Sequence, residues 1–344
     1  MHPPQIIDQL STLLGRRVSV RERPSSAADR DVRCVDVPFH RDAAALRIAD
    51  AVQSDLGPYE WAVVDAAAFL LDLGAGLATA RETMLSRLLH AERSARRSAL
   101  AEVRARRWVA GRGDDLDVLV ILLDPARELA ITAFARHLAV TTHGSLHVIG
   151  IRDGAAVFVA APVRDVDELT DAIARTAAMH AVVARGVGMA ACAPTALELD
   201  DAVDGALASA RLRAALPDQV SSMRAEDLGG WALMQTLPRS RALLAQACPA
   251  AFDLIAGDDP TPRETVEAYL DAAGRVPAAC ERLHIHRTTL YYRLDHLPPT
   301  VRTALADGLQ RSTLHLALKL LRLWDEQADP IPLRHTRQPE RLLA

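Results

Sequence analysis

Cysteine is scarce in this chain, and its placement excludes more than its number. The four, Cys34, Cys192, Cys248 and Cys280, lie far apart among 344 residues, with no Cys-x-x-Cys pair. A disulfide framework or a metal knuckle needs closely grouped thiols, so neither is expected, and reduced thiols in a cytoplasm are the simpler reading. Aromatics are also few, with 4 Trp, 4 Tyr and 5 Phe, so the core must be mainly Ala, Leu and Val. Long apolar runs are missing. The longest, Trp61 to Leu73, is broken by Asp65 and Asp72 and is too short and too charged to span a membrane. The start, Met1-His2-Pro3-Pro4, lacks a basic segment followed by an apolar run, so no signal peptide is expected. Excess positive charge is absent too: the net charge is −4, which excludes a uniformly basic nucleic-acid coat but not a small basic module.

What is present is ordinary globular composition, half apolar and 24% charged. At roughly 100–200 residues per domain, the length suggests two or three domains. Residues 4–20 read as a helix, with Ile6, Ile7, Leu10, Leu13 and Leu14 at helical spacing before Gly15, then a strand around Val18 and Val20. A loop is expected over 21–31, a second strand from Val32 to Val37, and a long helix within 58–80. This helix, strand, strand, helix order suits a small sensor-like α+β domain over 1–80.

Residues 81–112 carry nine arginines against three acids, with Leu85, Leu88 and Leu89 as an apolar edge. They read as a basic connector helix, either solvated or dimerising along a Leu85, Leu88 and Ala95 seam. Residues 113–240 alternate strand and helix. Arg152-Asp153-Gly154 joins two strands as a hairpin turn, so the sheet is partly antiparallel and the domain is α+β. Gly257 to Pro260 marks a boundary before a helical domain over 255–325, and 326–344 reads as a disordered tail.

Chemistry concentrates in 261–297. Thr261-Pro262-Arg263-Glu264 has the spacing of a capping box. Val266, Tyr269, Leu270 and Ala273 line a first helix that Gly274 ends. Val276, Ala279, Cys280 and Leu283 stripe a second. Leu290, Leu294 and Leu297 stripe a third, which Pro298-Pro299 stops. About three residues separate the second and third, as in a helix-turn-helix, with Ala279 small at the crossing and Ile285 plugging the turn. The alternative is a plain helical hairpin in a bundle.

The exposed face of the third helix would then be His286, Arg287, Thr288, Thr289, Tyr291, Tyr292 and Arg293. These types suit DNA, because arginine takes guanine bidentately and hydroxyls reach base edges or phosphates. One tyrosine can instead cap the core. Arg275 adds charge nearby. A last helix, 312–324, carries Arg311, His315, Lys319 and Arg322 along one side, either on phosphates or as a solvated face.

His286-Arg287-Thr288-Thr289-Leu290-Tyr291-Tyr292-Arg293-Leu294 resembles the signature of the PucR/CdaR (sugar diacid regulator) transcription factors. Ala272-Ala273-Gly274-Arg275-Val276 and Leu314-x-Leu316-Ala317-Leu318-Lys319-Leu320 fit as well. Gly186-Val187-Gly188-Met189-Ala190, with Ala202-Val203 and Ala206-Leu207, is similar to the degenerate GGDEF-like domain of such regulators, and 1–80 to a reduced GAF- or PAS-like sensor domain. Thr288 stands where asparagine is usual, and Tyr291 where arginine is frequent. The resemblance implies a multidomain α+β protein followed by an all-α DNA-binding bundle. It implies a cytoplasmic transcriptional regulator that binds double-stranded DNA as a homodimer or higher oligomer, with a small-molecule effector and no membrane partner. No cofactor, metal site or catalytic residue is expected. A diguanylate cyclase needs a Gly-Gly-[Asp/Glu]-Glu-Phe hairpin, and Gly150-Ile151-Arg152-Asp153-Gly154 lacks its carboxylates. The other reading is a ligand-responsive interaction protein whose helix-turn-helix binds a protein partner.

Overall fold

The computed structural model describes residues 2–22, 34–39, 44–109, 115–124, 127–257 and 259–326. The chain divides between Gly229 and Gly230 into two compact units.

The first unit is mixed α+β. Helix α1 (Pro3–Leu14) begins on proline and stops where Gly15 turns left-handed, at φ 60°. Strands β1 (Val18–Glu22), β2 (Cys34–Phe39) and β3 (Ala44–Ala49) form an antiparallel sheet in the order β1-β3-β2. Val18 and Val35 flank Ile48 from either side, and all three are buried against α1 and α2 (Pro58–Gly74). The central strand β3 was not expected. Its Ala-Ala-Leu-Arg-Ile-Ala sequence has weak strand propensity, and the two flanking strands make it one. Most of the expected 21–31 loop, and the first two residues of the expected 32–37 strand, lie outside the described residues. Arg21 and Glu22 belong to β1.

The basic stretch 81–112 is not one connector helix. Its described part holds α3 (Ala80–Ser86), a 3-10 turn at Arg87–Leu89, and α4 (Arg93–Ala105). Leu85, Leu88, Leu100 and Val103 are buried against a second sheet, so this edge is core and not a dimer seam. Several of the arginines are occupied within the unit. Arg96 pairs with Glu198 at 3.1 Å and Asp200 at 2.6 Å, and Arg104 donates to the carbonyls of Ala196 and Ala193 at 2.7 and 2.6 Å.

That second sheet follows the order β4 (Leu116–Asp124), α5 (Glu128–Thr141), β5 (Leu146–Arg152), β6 (Ala155–Ala160), α6 (Val166–Met179), β7 (Val183–Cys192) and α7 (Asp200–Ala215). Its strand order, β5-β6-β4-β7, is antiparallel throughout, which is the ferredoxin-like β-α-β-β-α-β wiring. The partly antiparallel sheet expected over 113–240 is therefore wholly antiparallel. Alternation along β4 sends Leu119, Ile121 and Leu123 toward α5 and α6, and Val118, Val120 and Leu122 toward α4 and α7. Helix α7 sits directly on β7. A Cβ added at Gly186 or Gly188 would lie 2.1 or 2.0 Å from a carbonyl oxygen of α7.

The hairpin turn forms as expected, with Asp153 at φ 50° and Gly154 at φ 76°. Asp153 accepts from Arg211 at 3.2 Å, while Arg152 meets Asp200 at 3.1 Å and Asp204 at 2.8 Å.

The second unit is helical: α8 (Gly230–Thr236), α9 (Arg241–Ala247), α10 (Pro249–Ile255), α11 (Thr261–Asp271), α12 (Val276–Leu283), α13 (Arg287–Asp295), α14 (Pro299–Ala306) and α15 (Gly308–Glu326). The boundary expected near Gly257 falls inside this unit, because α10 buries Ala251 and Leu254 and packs on α14 and α15. Nothing in the composition of 230–255 announced this. The expected tail, from residue 327 on, lies outside the described residues. Among the described residues no helix is long and apolar enough to cross a membrane.

Candidate nucleic-acid interface

The α11 start differs from the expected capping box. The helix already includes Thr261, so its hydroxyl lies past the cap position, and the Asp259 carboxylate accepts the Thr261 N–H at 2.9 Å instead. Helix α11 then presents Val266 and Leu270 to the interior. Helix α12 begins with Pro277 in its first turn and ends where His284 adopts the left-handed conformation, φ 53°. The Ile285 N–H closes onto the Cys280 carbonyl at 3.1 Å, a bond that satisfies an end carbonyl and reverses the chain.

Helix α13 starts after His286, whose Nδ1 lies 3.0 Å from the Thr288 hydroxyl and accepts the Thr288 N–H at 3.5 Å. Ala272, Ala279 and Leu290 are buried together, with Ile285 and Leu294 packed against them. The small residue at the crossing and the plug in the turn are therefore both as the spacing predicts. With Leu290 turned inward, helical geometry sends its neighbours outward.

His286, Arg287, Thr288 and Thr289 are exposed, and Arg275 is exposed at the α12 N-cap. Tyr291 and Tyr292 are 52% and 63% exposed, so neither caps the core. The Tyr292 ring lies on that of His296, 4.0 Å between centroids. Arg287 has no ion-pair partner among the described residues. Arg293 differs from its neighbours. It is half-buried, and its guanidinium lies 3.4 Å from the Thr265 hydroxyl on α11.

Lys319 departs furthest from expectation. It is 8% exposed, and its Nζ donates to Asp271 at 2.8 Å. The His315 Nε2 meets the other Asp271 oxygen at 2.7 Å, and Arg282 approaches at 3.1 Å. Arg322 reaches Glu267 at 2.6 Å, and Arg311 lies over the Tyr269 ring at 5.3 Å. The cation stripe of α15 is thus neither a phosphate track nor a solvated face. Glu267 and Asp271, one turn apart on α11, draw it inward. Burial raises the Asp271 carboxyl, but hydrogen bonds from His315 and Lys319, with the Lys319 and Arg282 charges, outweigh it and hold it at about 2. The signal was legible in principle, since acids four apart on α11 match cations four apart on α15.

No curated protein matches the chain. Among solved structures, the regulator of polyketide synthase expression from Bifidobacterium adolescentis is similar over 72% of this chain and 100% of its own, at 18% identity and a TM-score of 0.29. Likeness at that level defines neither a shared arrangement nor a shared activity. The family model for the PucR C-terminal helix-turn-helix domain matches residues 263–320, which begin within α11 and end within α15. The three-helix turn built on the buried Ala279–Leu290 junction lies within the stretch that matches the PucR C-terminal helix-turn-helix domain.

Proposed function

We propose that this protein is a transcriptional regulator that binds double-stranded DNA sequence-specifically through α13. The observation that carries the reading is the outer face of that helix. Arg287, Thr288, Thr289, Tyr291 and Tyr292 are exposed, over a helix pair whose register is fixed by buried Ala279 and Leu290. The N-terminal residues of a recognition helix are those that reach base edges in the major groove. The proposed DNA face comprises Arg275, His286, Arg287, Thr288, Thr289, Tyr291 and Tyr292. Arg293 and Lys319 are left out, because their charges face α11.

The reading extends to the first unit. The ferredoxin-like sheet is a degenerate GGDEF-like domain, a reading supported by its hairpin residues Arg152 and Asp153, which pair with α7. The 1–80 region is a reduced GAF- or PAS-like sensor. The protein acts in the cytoplasm as a homodimer or higher oligomer, because one such module covers little DNA and paired half-sites supply the rest.

Fluorescence anisotropy against DNA from the gene's own upstream region, with scrambled DNA as control and two salt concentrations, tests the proposal. Selective binding supports it. Absence of binding at both salts removes it and favours a protein partner for the exposed tyrosines.

A further inference from the structure

The first unit contains a half-open cavity of about 880 Å3 that no part of the DNA-binding reading uses. It lies between α2, α3, α5 and β5, and its size falls within the roughly 300–1,000 Å3 of small-molecule sites. Its walls are largely apolar, with Phe69, Leu73, Leu85, Leu89 and Ile149 among them. A few polar groups converge on it. Asp65 and Glu82 are both engaged by Arg136, at 2.9 and 3.5 Å, and Arg136 also covers the Phe69 ring at 4.2 Å. Glu128 is a third carboxylate in the lining, at the first turn of α5.

Arg81 is different. It is exposed, and its guanidinium contacts the Trp108 carbonyl at 2.8 Å and the His147 Nδ1 at 3.2 Å, with no carboxylate partner among the described residues. His147 is held neutral, since burial and then the Arg81 charge push it down to about 4. A neutral imidazole offers one donor and one acceptor without competing for the counter-ion. His137 also lines the cavity, and its Nδ1 lies 3.0 Å from the Nε2 of buried His180. An apolar chamber with a guanidinium that has no carboxylate partner among the described residues, beside the neutral imidazole of His147, is complementary to a molecule with a greasy body and a single anionic head.

We propose that this cavity binds a small monocarboxylate with an apolar chain or ring, its carboxylate on Arg81 and its body against Phe69, Leu73 and Leu85. That such binding serves as the effector input of a regulator rests on the DNA-binding reading. The binding itself does not.

The test is isothermal titration calorimetry of the full chain with octanoate, and with octanamide as its uncharged counterpart. Wild type should bind octanoate with a dissociation constant below about 1 mM. Arg81→Gln should weaken octanoate roughly tenfold or more while leaving octanamide unchanged, as loss of a charge-assisted hydrogen bond requires. Ala62→Trp, which adds a ring to the cavity wall, should abolish both. Far-UV circular dichroism and thermal unfolding check that each variant folds. No octanoate binding to wild type, equal octanoate affinity in Arg81→Gln, or full binding in folded Ala62→Trp would each overturn the proposal. Octanoate binding by a protein that ignores DNA would retain the site and remove the regulator. DNA binding without octanoate binding would do the reverse.

Discussion

The Nζ of Lys319 lies 2.8 Å from the carboxylate of Asp271, joining the middle of α15 to the end of α11. Lys319 is the only lysine in the chain, and it faces inward. Removing one partner of a buried pair leaves the other charge uncompensated. Lys319→Met is expected to destabilise the helical unit by about 3 kcal/mol, read from urea unfolding. The salt dependence of DNA binding should keep its slope, because this charge does not reach phosphate. A slope reduced by one unit would return Lys319 to the DNA face.

The same burial makes Lys319 a reporter. An amine-reactive reagent should modify its side chain slowly in the native protein and rapidly in urea, measured by peptide mass spectrometry. Equal rates in both conditions would show that α15 does not hold the pair closed.

Asp271 also sets an acid limit. Its carboxyl sits at about 2 in the fold, against an ordinary value of 3.8. A lowered folded value means that the stabilisation is fully present above about pH 4 and disappears as pH falls toward 2. The contribution is about 1–2 kcal/mol once solvent screening is allowed for. Asp271→Asn should lower stability at pH 7 and flatten its decline between pH 4 and 2. An unchanged pH profile would assign that decline to other carboxylates.

Arg287 is the clearest test of the recognition face. It is exposed and has no ion-pair partner among the described residues, so Arg287→Ala should leave thermal unfolding nearly unchanged. DNA affinity should fall by roughly 1–3 kcal/mol if the side chain reads a base. Unaltered affinity in anisotropy titrations would remove it from the interface.

Gly188 tests the close packing of α7 on β7. A Cβ there would stand 2.0 Å from the Ala206 carbonyl oxygen and 2.5 Å from the Ala210 nitrogen, both backbone atoms. Gly188→Ala should cost about 3 kcal/mol, since neither neighbour can step aside. Gly257→Ala, with nothing within 4 Å of the added atom, is the matched control. Similar unfolding midpoints for the two variants would contradict this packing.

The sequence by itself determined what is local. The helix-turn-helix was legible because Ala279, Ile285, Leu290 and the proline starts act within about twenty residues, where spacing and caps decide the outcome. The Asp153-Gly154 hairpin was legible for the same reason: two adjacent positive φ angles suit that residue pair.

Only the tertiary structure decided what depends on distant partners. β3 is a strand because β1 and β2 flank it, not because alanine favours one. The arginines of α4 look solvated until the 193–200 segment, about a hundred residues away, folds against them. The cation stripe of α15 looks like a phosphate track until Glu267 and Asp271 come within hydrogen-bond reach. A charge pattern fixes which face of a helix is polar, but only packing fixes whether that face meets water, DNA or a carboxylate. Coulombic attraction depends on distance in space, which the order of residues does not state.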